Sequence, residues 1–251
     1  MSPEVNKKFI FEPTADGSPT VRIVTGSGEG ALSEAMHSLK GAFSETVYIY
    51  GEAIETALTR GFSPTVLSMG LGLGYVELLA AALFLKNGVL SKARGISYEI
   101  VPELRAWFHA WLLAADDTSV PAEFSDAYFE ILNRVSTHVG CVAEDAREAL
   151  KTLIHEQRWL IKGALDADTV FDQRYACICF DAFSSKTSPD LWNEEFLNKF
   201  LQSAAEDNCV LSTYACTGTL KRALRDRGFS LDIRMGFASK RDSTFAVRAH
   251  C

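Results

Sequence analysis

The chain has 251 residues, of which 47% are hydrophobic, and a formal net charge of −7. That length suits one large α/β domain, alone or with a small appendage, and apolar runs this short exclude a bilayer-spanning helix. The acidic balance argues against indiscriminate nucleic-acid binding, and six scattered cysteines without a C-x-x-C pair argue against a zinc site or a disulfide framework.

Met1 to Phe11 carries no apolar stretch of the secretory type, so the expected location is the cytoplasm. Residues 8–12 and 20–25 read as short strands around the Asp16-Gly17 turn, and 45–57 as an entry from strand to helix. Residues 1–51 are therefore expected to form a β extension, with the main domain spanning 52–251. In that domain strands at 65–69, 94–99, 139–143, 175–180 and 208–213 alternate with helical patterns, and a hairpin of 229–235 and 243–249 ends the chain. The helices fall near 75–86, 102–114, 121–136, up to about 156, 190–204 and 217–227. Such alternation predicts a mostly parallel sheet, with the hairpin adding an antiparallel strand at or near an edge.

The first of these strands runs into Gly70-Leu71-Gly72-Leu73-Gly74, followed by an apolar helical pattern from Val76 to Leu85. Glycine lets backbone approach a ligand and adopt positive φ, so strand, turn and helix together form either a nucleotide-binding edge or an ordinary βα turn. Glu99 closes the second strand 25 residues beyond Gly74. An acid there accepts hydrogen bonds from ribose hydroxyls in nucleotide-binding folds, or is simply solvated. The spacing is G-x-G-x-G rather than the dinucleotide G-x-G-x-x-G. No pyrophosphate need be cradled, which suits S-adenosylmethionine better than NAD.

Ligands of such sheets sit beyond the carboxyl ends of the strands. The glycine turn, Glu99, Asp145, Asp181 and Thr213 all fall there by this reading. Glu144-Asp145 suits an adenine amino group, and Asp145 suits a helix N-cap equally. Charge is uneven along the chain: from Thr213 to Cys251 eight Lys/Arg face three Asp. This segment is either a phosphate-binding face or a solvated helix and hairpin.

The segment Asp181-Ala-Phe-Ser-Ser-Lys-Thr-Ser-Pro-Asp-Leu-Trp192, with Gly236-Phe237-Ala-Ser-Lys240-Arg241, resembles the methyltransferase half of the bifunctional tRNA 5-methylaminomethyl-2-thiouridine biosynthesis (MnmC-like) family. Glu45-Thr46-Val47-Tyr48-Ile49-Tyr50 is similar to that family's entry segment, and Ser97-Tyr98-Glu99 to its ribose-binding strand end. The chain departs from the family at Ser68 and Val76 in the glycine turn, at Ala182, Ser184 and Ser185 in the substrate loop, and at Ala238.

The resemblance implies an α/β, Rossmann-like, class I S-adenosylmethionine-dependent methyltransferase. It implies methylation of 5-aminomethyl-2-thiouridine at the tRNA wobble position, giving 5-methylaminomethyl-2-thiouridine, without the FAD-dependent oxidase half of the bifunctional form. Cofactor contacts are expected from Gly70, Gly72, Gly74, Glu99, Glu144, Asp145 and Asp181. Asp181 is also the catalytic candidate, because a carboxylate beside an attacking amine can hold it and take its proton. Phe183 is expected to stack on the modified base, or to pack in the core, which is the favoured reading for Trp192. Lys221, Arg222, Phe237, Lys240 and Arg241 are expected to meet tRNA. Neither metal nor membrane is expected. The alternatives are a methyl- or aminopropyltransferase acting on a small amine, and a non-catalytic cofactor-binding protein.

Overall fold

The computed structural model describes residues 7–25, 32–114, 117–182, 188–239 and 242–249. Two sheets organise them. The larger has seven strands in the order β6-β5-β4-β7-β8-β10-β9, formed by β4 (Thr65–Met69), β5 (Arg94–Tyr98), β6 (Trp159–Lys162), β7 (Tyr175–Phe180), β8 (Ala205–Thr213), β9 (Ser230–Arg234) and β10 (Ser243–Arg248). All neighbours pair in parallel except β10, which runs antiparallel between β8 and the edge strand β9. The expected parallel sheet with a late antiparallel strand is thus present. Every residue of β4 and of β7 is buried, as continuous apolar strands are when helices cover both faces.

Strand order reverses between β4 and β7, because the chain lays β5 and β6 on one side of β4 before returning to place β7 on the other. Such a reversal opens a crevice at the carboxyl ends of the two strands. It is where the glycine turn and Asp181 meet.

The helices are α1 (Ala42–Thr46), α2 (Glu52–Thr59), α3 (Tyr75–Lys86), α4 (Pro102–Leu113), α5 (Ala122–Val139), α6 (Ala143–His155), α7 (Glu194–Ala204) and α8 (Gly218–Asp226). α3 is buried all round from Tyr75 to Phe84, so its apolar residues need no polar face. Gly74 starts it at φ +77°, and a Cβ there would stand 2.0 Å from Phe108 Cε2. That glycine is required by the packing of α4 on the turn. Glu77, inside α3, is fully buried; Ser97 donates to it at 2.7 Å and receives the Trp159 indole N–H at 2.9 Å. Burial pushes the Glu77 carboxyl up to about 7.

The smaller sheet is antiparallel, β1-β2-β3, from Lys7–Pro13, Pro19–Thr25 and Leu32–Ala35. Phe9 and Phe11 pack edge-on against Phe124 of α5, and the Tyr75 hydroxyl donates to Pro19 O at 2.6 Å. Asp16, in the turn between β1 and β2, accepts from the Ser44 N–H and hydroxyl at 3.0 and 2.6 Å, clamping this sheet to α1. These hydrogen bonds hold its carboxyl well below the usual carboxylate range.

Two expectations change. Residues 139–143 are not a strand: α5 continues to Val139, and Gly140 caps it at φ +79° with its N–H on Ser136 O. A left-handed glycine there ends a helix, so the apolar run Val139–Ala143 is a helix–helix corner. The third parallel strand is instead the four-residue β6. The stretch 45–57 contains no strand: it belongs to a helical run over Ala42–Thr59, with a π turn at Val47–Gly51 between α1 and α2. Its aromatic and β-branched residues favour strand locally, but Ile49, Tyr50, Ala53, Ile54 and Ala57 bury one helical face. The division between residues 51 and 52 falls where the π turn meets α2. Among the described residues no helix is long and apolar enough to cross a membrane.

Gly74→Ala adds both a collision and a strained φ, and should lower stability by about 2–4 kcal/mol. Gly61, at φ +71° with nothing within 4 Å of a Cβ, carries the strain alone; Gly61→Ala should cost about 1–2 kcal/mol. Denaturant midpoints of the two variants compare the effects, and equal losses would remove the Phe108 collision from the explanation.

Candidate functional site

A cavity of about 310 Å³ opens over the β4–β7 crevice, within the roughly 300–1,000 Å³ range of small-molecule sites. Its walls include Gly70, Gly72, Glu99, Asp181, His37 and Tyr50. Gly70 leaves β4 at φ +93°, and a Cβ on it would approach the Asp181 carbonyl oxygen to 2.9 Å. Glycine is therefore the residue that lets the ends of β4 and β7 close on one another. The Asp181 N–H completes the junction by donating to Met69 O at 3.1 Å.

The N–H groups of the glycine turn are largely spoken for. Those of Gly70 and Leu71 go to Tyr98 O, that of Gly74 to Leu71 O, and that of Gly72 to Glu99 Oε2 at 3.0 Å. A pyrophosphate cradle needs such donors free, so the turn fits a ligand without phosphates. Glu99 Oε1 also accepts from the Val101 N–H at 2.8 Å. A carboxylate has about four acceptor positions, so two remain for vicinal hydroxyls in the cavity. Burial raises the Glu99 carboxyl above its ordinary value, opposed by these two backbone donors.

Asp181 sits across the crevice from Glu99. Burial pushes its carboxyl up to about 8, reinforced by the charges of Glu45, Glu77 and Glu99 and opposed by the nearby Tyr50 hydroxyl. A carboxyl so tuned exchanges a proton near neutral pH. Tyr214 flanks it and donates to Ala182 O at 2.8 Å. This wall is acidic and suits a cationic ligand.

The fourth wall comes from the N-terminal segment, which sequence reasoning did not assign to the site. Met36, His37, Ser38 and Glu45 line the cavity, and the Ser38 N–H donates to Glu45 Oε2 at 2.7 Å. Burial lowers the His37 imidazole to about 4, so it is neutral at physiological pH. Gly163 and Ala164, beyond β6, also line the cavity. They hold the strand-end position that was expected at 144–145, and no local motif announces them.

Other expected residues lie elsewhere. Gly74 packs on Phe108 and is not in the cavity wall. Glu144 and Asp145 are exposed in the first turn of α6 and absent from the lining, and Glu144 pairs with Arg147 at 3.1 Å. Their displacement follows from Gly140: with α5 ending there, residues 144–145 begin a helix instead of ending a strand. Lys221 and Arg222 lie on α8, where Arg222 pairs with Glu194 at 3.3 Å. Phe237 stands 6.3 Å from the Tyr48 ring, whose hydroxyl donates to Met235 O. The neighbouring Ala238 holds φ +52°, a conformation that suits the glycine of the related segment. Trp192 packs edge-on against Phe180 at 5.0 Å in the core. Phe183, Lys240 and Arg241 lie outside the described residues.

A family profile described as S-adenosyl-L-methionine-dependent methyltransferase matches residues 122–249. An uncharacterized protein of Methanocaldococcus jannaschii is 25% identical over 246 residues, covering 98% of this chain and 61% of that protein. The tRNA 5-methylaminomethyl-2-thiouridine biosynthesis bifunctional protein MnmC of Hahella chejuensis is 33% identical over 89 residues, 36% of this chain and 13% of that protein. The chain thus spans less than two thirds of either relative. In fold it is similar to MNMC2 from Aquifex aeolicus, with a TM-score of 0.59 at 22% identity over 97% of this chain and 71% of that one.

If Glu99 holds the cofactor's hydroxyls, Glu99→Ala weakens S-adenosylmethionine binding roughly 10–100-fold, since hydrogen bonds to a charged group contribute about 1.5–3 kcal/mol. Binding by the unaltered protein should also weaken on acidification through the raised Glu99 pKa, where the carboxyl loses acceptor capacity. Calorimetric titration against pH reads both effects, and an unchanged affinity in the variant would remove Glu99 from the cofactor site.

Proposed function

Because the chain belongs to the S-adenosyl-L-methionine-dependent methyltransferase family, we propose that it methylates the primary amine of 5-aminomethyl-2-thiouridine at the tRNA wobble position, giving 5-methylaminomethyl-2-thiouridine. The observation that carries this reading is Asp181: a half-buried carboxyl at the β4–β7 reversal, in one cavity with the glycine turn and Glu99. The similarity to proteins named for 5-methylaminomethyl-2-thiouridine biosynthesis supports the tRNA acceptor.

S-adenosylmethionine supplies, when bound, a methyl group on a sulfonium that neutral amines attack. Gly70 and Gly72 leave room for it at the crevice, and Glu99 takes its ribose hydroxyls. The acidic wall attracts the acceptor as an ammonium, and ionised Asp181 receives a proton from it, freeing the nitrogen lone pair. That lone pair would take the methyl group of the bound cofactor, its sulfur keeping the electron pair of the sulfur–carbon bond. The new secondary ammonium holds the remaining charge until it sheds a proton to solvent. Most of the acceleration comes from holding the reactants in line.

Phe183, two residues beyond Asp181, is proposed from sequence to stack on the uracil. Lys221, Arg222, Lys240 and Arg241, with Phe237, form the proposed tRNA-facing set. The Arg222–Glu194 pair is half-exposed on both sides, and such pairs contribute only about 0–1 kcal/mol, so a phosphate can replace the carboxylate. The proposed organisation keeps residues 1–51 as an extension on a 52–251 Rossmann-like domain, the extension completing the cavity wall, with the protein working in the cytoplasm.

A methyltransferase acting on a small amine is the second reading. It is favoured by the acidic cavity wall and by the internal use of basic residues near the C-terminus. Arg234 pairs with Glu52 and Asp232, and Arg248 donates to the carbonyls of Ala205, Glu206, Asp207 and Arg227.

Labelled methyl from S-adenosylmethionine should appear in tRNA bearing 5-aminomethyl-2-thiouridine and not in tRNA lacking that group; label on free polyamines alone would select the second reading. Reversing charge at Lys240 and Arg241 should weaken tRNA binding and flatten its salt dependence, and an unchanged slope excludes them as phosphate contacts. Asp181→Ala should reduce methyl transfer about 10²–10⁴-fold while leaving cofactor affinity nearly intact. In the unaltered protein the rate should rise with pH through the Asp181 pKa, about 8 without ligands, because the carboxylate is the working form. Asp181→Asn should abolish that limb.

A further inference from the structure

The helical run over Ala42–Thr59 changes its winding at Val47–Gly51, where five residues form a π turn. A π turn shifts the phase of the side chains that follow it, and such turns recur at functional sites. Tyr50 lies in this one. It is 3% exposed and lines the cavity beside Asp181; its hydroxyl lies near enough to lower the Asp181 pKa, yet completes no full hydrogen bond among the described residues. A buried hydroxyl without a partner is costly and calls for a reason. The hydroxyls of Tyr98 and Tyr128 are also unpartnered, but Tyr128 belongs to the helical core against Phe108 and Trp111, and Tyr98, which lines the cavity too, lies at the β5 end against Phe171. Tyr50 alone of the three stands beside the carboxyl proposed to work on the acceptor.

An attacking amine has one lone pair and two N–H bonds once neutral. Aiming the lone pair at the methyl carbon requires an acceptor for each N–H, set away from the line of attack. Asp181 can take one. Resting on the amine-methyltransferase reading, we propose that the Tyr50 hydroxyl takes the other, accepting an amine N–H while donating its own proton to Asp181. A phenol has the one donor and the acceptor capacity this needs. The arrangement aligns the nitrogen and favours the ionised form of Asp181 that receives the ammonium proton. Other groups with a charge or proton near Asp181 act the opposite way or are neutral. Glu45 of α1, Glu77 of α3 and Glu99 beyond β5 raise its pKa, and burial raises the nearby Cys179 thiol well above its ordinary value, so it is protonated at neutral pH.

Tyr50→Phe removes only the hydroxyl, and comparison with the unaltered protein tests the assignment. Asp181 is followed by carboxyl-¹³C NMR in the S-adenosylhomocysteine complex, and methyl transfer by label. The expected result is an Asp181 titration midpoint moved to higher pH, a kcat lowered roughly 10-fold, an ascending limb of the rate profile moved by the same amount, and unchanged cofactor affinity. An unmoved Asp181 midpoint, or an unchanged kcat on the alkaline plateau, overturns the proposal. Failure of the unaltered protein to methylate the modified tRNA overturns the tRNA reading alone. The titration then still decides whether Tyr50 acts on Asp181, and free amines serve as acceptors for the rate.

Discussion

The site depends on one close approach, that of Gly70 to Asp181 where β4 and β7 diverge. The Asp181 carbonyl occupies the space in which any Cβ at residue 70 would stand, and the Asp181 N–H bonds back to Met69 O. Two strand ends are thereby locked together at the reversal of strand order, the place where a parallel sheet opens a crevice. From this junction the glycine turn extends over the sheet to Glu99, which receives the Gly72 N–H. The turn is consequently rigid, with its donors used internally, and it presents room rather than a phosphate cradle. The same closure brings three carboxyls together, so that Glu99 raises Glu77, and both raise Asp181.

That crowding has a thermodynamic consequence. The folded protein holds protons on Asp181, up to about 8, and on Glu77, up to about 7, more tightly than the unfolded chain does. A carboxyl with a raised folded pKa contributes stability that is complete below its unfolded pKa and lost as pH rises through the folded one. In the empty site this contribution therefore fades between about pH 4 and 8. A sulfonium and an ammonium oppose the loss, because each favours the ionised carboxylates. Affinity for cationic ligands and the internal repulsion of the site are two faces of one charge distribution.

The small N-terminal sheet has a part in this arrangement beyond covering α5. Asp16 caps the start of α1 through Ser44, and the continuing helical run carries Glu45, Thr46 and Tyr50 into the cavity wall. Beyond β3 come Met36, His37 and Ser38, which close the cavity opposite the strand ends. A segment that looks like an appendage in one dimension is therefore a wall of the site in three.

Local patterns in the chain determined much by themselves. Buried strands showed as apolar runs, α3 as an unbroken apolar helix, and Gly70, Gly72, Glu99 and Asp181 as glycines and acids at strand ends, because each signal rests on a residue's own stereochemistry or on neighbours in sequence. Where two local readings competed, the chain could not choose. Val139–Ala143 reads as a strand, yet α5 extends through Val139 and Gly140 terminates it in the left-handed conformation, leaving the third strand to a shorter segment and Glu144-Asp145 to a helix surface. The stretch 45–57 reads as an entry from strand to helix, yet all of it is helix and π turn, because one helical face buries against the sheet and α3. Only the tertiary structure decided which residues share the cavity. His37, Tyr50 and Gly163 come together from segments distant in sequence, and burial and pairing between such segments are set by the whole packed chain rather than by any window of it.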